Sequence, residues 1–144
     1  MALETPLRSV VIDMGSNSFR LVAYDYVPER WWRRSDEIYD GVRIGAGLLA
    51  HGTLAPERMG RALEVMDVYA HFCLASGIPL SEVTPVATSA IREAANGADF
   101  VASVKALKPR NGNADNFVPI ATPADSPRRI ALNAPPRTSQ HCRK

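Results

Sequence analysis

Hydrophobic and polar positions divide the chain into short periodic segments. Val10-Val11-Ile12 is a continuous β-branched run, which predicts a strand covered on both faces. From Phe19 to Tyr26 the pattern alternates. Leu21 and Ala23 would face one side, and Arg20, Val22, Tyr24 and Tyr26 the other. Pro28 ends this strand, because proline cannot donate to a ladder. Residues 31–39 predict a third strand, and its Arg33, Arg34, Asp36 and Glu37 suit a sheet edge. Four glycines, Gly41, Gly45, Gly47 and Gly52, mark the next stretch as loop.

A long helix follows. Pro56 suits its first position, and Met59, Leu63, Met66, Ala70 and Cys73 recur at helical spacing with Ala62 and Tyr69 beside them. Glu57 and Arg61 would pair on the polar side, while Gly77 and Pro79 stop the helix. About twenty residues at ~1.5 Å each make a rod of ~30 Å, long enough to cover a sheet. Cys73 and the two methionines would then be core residues. Residues 83–87 predict a fourth strand, and Thr88 and Ser89 offer N-cap hydroxyls to a helix over residues 90–95. Asn96-Gly97 would break it, and residues 98–107 predict another helix carrying Phe100, Val101, Val104 and Leu107 on one side. The order is βββαβαα, an α/β fold.

After Leu107 the periodicity stops. Residues 108–144 hold six of the eleven prolines, no Glu, and Phe117 as the sole aromatic. Too little apolar area is available there to offset ordering costs of ~1–2 kcal/mol per residue, so a disordered, low-complexity basic tail is expected. At 144 residues there is room for one domain, residues 1–107, ahead of that tail. The formal charge of +2 conceals an asymmetry: residues 1–107 carry 10 basic and 13 acidic side chains, and residues 108–144 carry 7 and 2. A basic tail could touch nucleic acid, but without interleaved aromatics a solvated tail is the better reading, and no specific nucleic-acid partner is expected.

Cys73 and Cys142 stand far apart, which suggests neither a zinc site nor a disulfide framework and fits a reducing compartment. No secretory leader and no membrane-spanning run are read, so a cytoplasmic protein with no membrane partner is expected. His51, His71 and His141 share no metal-ligand spacing, and Asp67 with His71 reads as a surface i,i+4 pair. No GxxxxGK[ST] loop occurs.

Candidate chemistry gathers where the first strand ends. Asp13 is followed by Gly15, Ser16, Asn17 and Ser18, and then by Arg20. A carboxylate, a turn of small hydrogen-bonding groups and a guanidinium suit a Mg²⁺-assisted phosphate site, with Asp13 holding the cation. The alternative is a hairpin whose Gly and Asn merely supply turn dihedrals. Arg92 in the first turn of a helix capped by Thr88 or Ser89 could meet an anion there. Otherwise Glu93 compensates it and Arg92 points to solvent. The Gly45 and Gly47 segment could form a lid or second wall. Trp31-Trp32 is either a stacking platform or half-buried packing.

Three stretches taken in order resemble the exopolyphosphatase / guanosine pentaphosphate phosphohydrolase family, Ppx/GppA. They are Val11-Ile12-Asp13-Met14-Gly15-Ser16-Asn17-Ser18-Phe19-Arg20-Leu21, Arg43-Ile44-Gly45-Ala46-Gly47-Leu48, and Ala87-Thr88-Ser89-Ala90-Ile91-Arg92-Glu93-Ala94-Ala95-Asn96. The resemblance covers about residues 7–107 and implies the first half of an actin-like ATPase domain, the ribonuclease H-like fold. It implies Asp13 at a Mg²⁺ site, and Gly15, Ser16, Asn17 and Ser18 as the first phosphate loop. Arg20 and Arg92 would bind inorganic polyphosphate or a guanosine polyphosphate. Full-length relatives are expected to be homodimers.

The chain also departs from the family. No Glu follows Glu93, so the water-activating Glu expected soon after Leu107 is missing and no catalytic residue is assigned. No second Asp-x-Gly-Gly-Gly-Ser loop follows. The expectation is a phosphoanhydride hydrolase by resemblance, but a truncated chain with little or no activity of its own, its tail consistent with out-of-frame translation. The alternatives are a non-catalytic fragment or weak phosphate binder, and a sugar-kinase-type ATPase of the same fold.

Overall fold

The computed structural model describes residues 5–107, so the expectation for residues 108–144 lies outside the described residues. Four strands, β1 (Leu7–Met14), β2 (Phe19–Val27), β3 (Trp31–Asp40) and β4 (Val83–Ala87), form one mixed sheet in the order β3-β2-β1-β4. β1 is central: it pairs antiparallel with β2 and parallel with β4. A parallel neighbour requires a crossover. Here it carries α1 (Leu48–His51), α2 (Pro56–Ala75) and a 3₁₀ turn over Leu80–Glu82. α3 (Ser89–Glu93) and α4 (Gly97–Lys105) follow β4. The order βββαβαα therefore holds for the main elements, with α1 and the 3₁₀ turn as short additions inside loops.

Val10, Ile12, Met14, Phe19, Leu21 and Ala23 are fully buried, in one cluster with Val65, Met66, Tyr69 and Cys73 of α2 and Phe100 and Val104 of α4. Phe19 and Phe100 meet at 6.5 Å between ring centroids. Burial pushes the Cys73 thiol up to about 12, as suits a core residue rather than a ligand.

The expectation that Val10-Val11-Ile12 is covered on both faces is corrected. Val11 is only half-buried, as are Val22, Tyr24 and Tyr26 on the same face. A continuous apolar run is compatible with either one or two covering layers, and the described helices bury the other face.

β3 is the edge strand that its charges suggest, and a register shift beside Tyr24 marks a bulge that accommodates Ser35. Trp32 packs edge-on to Tyr24 at 5.7 Å between centroids, and the Arg33 guanidinium lies 6.0 Å from the Trp31 ring centroid. The half-buried packing reading thus describes Trp32. Where the alternation of β2 carries a charge inward, it is paired. Asp25 accepts from Arg8 Nε at 2.7 Å and Arg33 Nη2 at 3.2 Å, which holds its carboxyl below the usual carboxylate range.

α2 ends in a Schellman motif: Ile78 N–H donates to Cys73 C=O at 2.8 Å and Gly77 N–H to Leu74 C=O at 3.0 Å, with Gly77 at φ 73°. The expected Glu57–Arg61 pair does not form. Arg61 turns to Glu64 at 3.3 Å and Asp40 at 3.8 Å, because the end of β3 offers it a second carboxylate.

Candidate functional site

Asp13 is the penultimate residue of β1, directly opposite Arg20 on β2 and Val86 on β4. Its side chain is exposed and has no ion-pair partner among the described residues. The 15–18 turn then carries the chain into β2. Gly15 N–H donates to Ser18 C=O at 3.0 Å, closing the turn on itself. A Cβ on Gly15 would lie 2.9 Å from that carbonyl oxygen, so space demands glycine here. β1 and β2 do form an antiparallel hairpin, but neither Gly15 nor Asn17 has a positive φ, so neither is there to supply a left-handed turn dihedral.

The turn's outward carbonyls are claimed by the glycine-rich segment. Arg43 N–H donates to Asn17 C=O at 2.8 Å, and Gly45 N–H to Ser16 C=O at 3.0 Å. A Cβ on Gly45 would sit 3.2 Å from both the Ser16 and Ala90 Cβ atoms. Gly45 is therefore the point where the three stretches separated in sequence come together. The N–H groups of Ser16, Asn17 and Ser18 have no acceptor among the described residues.

Thr88 does not cap α3 with its side chain. Its hydroxyl donates to Met14 C=O at 2.9 Å, and its N–H reaches the same oxygen at 3.2 Å. The residue read as a cap instead fastens the start of α3 to the end of β1. α3 is five residues long, which places Arg92 in its last turn. So short a helix offers no N-terminal anion site of its own, and Arg92 is near both of its ends. Arg92 is exposed and unpaired among the described residues. It borders a shallow recess of about 400 Å³ with Ala87, Gly97, Ala98, Ala102 and Lys105.

Arg20 is placed differently. Its Nε lies 3.3 Å from Glu37 Oε1, while Arg34 holds Glu37 Oε2 at 2.6 Å. The first arginine of the sequence reading is thus shared with a carboxylate, and Arg92 is not.

Two supports escaped the sequence reading. Asn96, read there as a helix breaker, accepts from Leu54 N–H at 2.8 Å and donates to Leu54 C=O at 2.9 Å. Tyr69, read as packing, donates from its buried phenol to Phe19 C=O at 3.1 Å, just after the turn. Burial, with Asp40 nearby, raises the Tyr69 phenol above its usual range and keeps it a donor. Each required knowing which backbone carbonyl lies opposite, and no local pattern carries that.

Among the described residues no group of three or more His, Cys, Asp and Glu side chains is arranged to hold a metal ion. His71 and Asp67 form the surface pair expected of them, at 3.6 Å. No described helix is long and apolar enough to cross a membrane.

The sequence profile of the Ppx/GppA phosphatase family matches residues 36–110. A crystal structure of the Aquifex aeolicus Ppx/GppA family member aligns with a TM-score of 0.67 at 26% identity, over 82% of this chain and 36% of that one. The type II variant of the Aquifex aeolicus phosphatase aligns with a TM-score of 0.62 at 26% identity, over 69% and 32%. An exopolyphosphatase from Cytophaga hutchinsonii shares the fold, with a TM-score of 0.67 at 24% identity over 81% and 34%. The chain spans about a third of the length of the structures it matches.

Proposed function

The chain belongs to the Ppx/GppA phosphatase family, and from that premise we propose that it forms one wall of a phosphoanhydride-binding cleft, with inorganic polyphosphate or guanosine pentaphosphate as the ligand. The observation that carries this reading is the convergence on the 15–18 turn. Its Ser16 and Asn17 carbonyls are occupied by residues 43–45, and among the described residues the Ser16, Asn17 and Ser18 N–H groups have no acceptors. Such donors suit a phosphate oxygen. Gly15 lets the turn close tightly, and Thr88 holds the end of β1 that carries Asp13. Arg92, unpaired among the described residues, would supply positive charge; Arg20 would do so only in part, because Glu37 shares it.

Mg²⁺ is proposed as the cofactor, with Asp13 as its protein ligand. An exposed, unpaired carboxylate without companions fits a cation bound through one carboxylate and phosphate oxygens. The bound ion would neutralise phosphate charge. Asp13 would orient it, and the turn would hold the terminal phosphoryl group.

Phosphoryl transfer depends on positioning and charge neutralisation from both sides of the group. No Glu follows Glu93 in this sequence and no second Asp-x-Gly-Gly-Gly-Ser loop occurs. We therefore assign binding, with little or no turnover, to this chain. A positioned base alone usually contributes ~10²–10⁴-fold. Isothermal titration with tripolyphosphate should show binding that strengthens with Mg²⁺ and weakens about tenfold in Asn17→Pro, which removes one donor. Phosphate release from long-chain polyphosphate should stay at background. Absence of binding, or release at the rate of a full-length relative, would overturn the reading.

A further inference from the structure

Arg43 has a left-handed backbone, with φ 53°, although it is neither glycine nor asparagine. That conformation is unfavourable for an L-residue and persists only where its surroundings impose it. The clamp is visible. Arg43 N–H donates to Asn17 C=O at 2.8 Å, and its own C=O accepts from Ala46 N–H at 3.0 Å. The flanking Val42 and Ile44 are fully buried, at 1% and 0% exposure. Glycine would suit such a position without strain, and glycine is common in this very segment. Arg43 nonetheless puts a guanidinium there, exposed and without a partner among the described residues.

Other local arginines do not duplicate it. Arg20 is shared with Glu37, and Arg92 lies on α3 beside its recess. Arg43 is joined by its backbone to Asn17, one of the three turn residues whose N–H groups have no acceptor among the described residues.

We propose that Arg43 is the cation of the first phosphate site, kept in a strained backbone because it binds the terminal phosphate held by the 15–18 turn. This rests on the phosphate-binding reading above and adds a residue to it. The charge sits on the same clamp that occupies the turn's carbonyls. Ordering of residues 43–45 and presentation of the cation are thus one structural event.

The test uses the full 144-residue chain and three variants. Arg43→Gly relieves the backbone and removes the charge. It should raise Tm by a few degrees while weakening tripolyphosphate affinity about tenfold or more. Arg43→Ala keeps the strain, so Tm should stay unchanged while affinity falls equally. Arg43→Lys should recover part of the affinity. Wild-type affinity in Arg43→Ala, alongside weakened binding in Asn17→Pro, would overturn this assignment and leave the phosphate site standing. A lowered Tm in Arg43→Gly would show that Arg43 serves the fold, and would also overturn it. No binding by the wild-type chain would remove both readings.

Discussion

Asp25 shows how one side chain can make this fold sensitive to acid. Its carboxylate is 10% exposed and carries two guanidinium partners. Arg8 contributes most, because its 2.7 Å bond is the shorter and Arg33 is largely solvent-exposed. The folded pKa lies below the unfolded value, so the stabilisation is complete above about pH 4 and is lost as pH falls through the folded value. Asp25→Asn should cost about 1–3 kcal/mol at pH 7 in urea unfolding, the usual worth of hydrogen bonds to charged groups. The gap between variant and wild type should narrow below pH 4. A gap of constant size from pH 7 to 3 would show that packing, not charge, is at stake. The two charged residues proposed to meet the ligand behave in the opposite way. Asp13 and Arg43 are exposed and unpaired among the described residues, so their charge is left for a ligand.

Among the elements, the short α3 and the loops around it depend on borrowed hydrogen bonds. A helix of five residues forms few bonds of its own and cannot persist by propensity. Thr88 ties its start to β1, and past its end Ala95 N–H donates to Gly52 C=O at 2.9 Å. Asn96 adds its two bonds to Leu54, bridging the segment ahead of α2 to the start of α4. Gly97 permits the tight passage between them, since a Cβ there would overlap the Ile91 carbonyl. Asn96→Ala should therefore destabilise the chain by about 1–3 kcal/mol, because it strips partners from partly buried backbone groups. Asn96→Asp, which keeps the acceptor for Leu54 N–H but loses the donor, should fall between. Thermal melts of both variants check this, and equal stability of Asn96→Ala and wild type would refute it.

The molecule described over residues 5–107 is a sheet with one face buried by helices. Val11, Val22, Tyr24 and Tyr26 on the other face are half-buried, and among the described residues β4 pairs only with β1. Parallel sheets are normally covered on both sides, and an unpaired strand edge is a template for another strand. The chain is therefore expected to self-associate as concentration rises. Sedimentation velocity across a hundredfold concentration range should show growing species. Val22→Lys, on the uncovered face, should reduce them. A single monomeric species throughout, with cooperative unfolding, would contradict this expectation.

Period and punctuation were enough for the main elements, though not for α1 or the 3₁₀ turn. The alternation of β2, the charges of β3 and the apolar stripe of α2 each follow from nearest-neighbour geometry, and Pro28, Pro56 and Gly77 mark boundaries that the backbone respects. The three motifs were legible as a resemblance to the Ppx/GppA family, and the family profile matches residues 36–110. Contacts between distant segments were not legible. Nothing local to Gly45 says that it must fit between Ser16 and Ala90, or that Thr88 serves Met14 rather than its own helix. Nor does the sequence around Arg20 and Arg43 say which guanidinium is neutralised. That depends on Glu37 lying across the sheet from Val22, beside Arg20, and on the 43–45 clamp closing over the turn. Local pattern sets backbone conformation through short-range sterics and burial, whereas the pairing of charges and unspent hydrogen bonds is settled only when the sheet brings remote residues within about 3 Å.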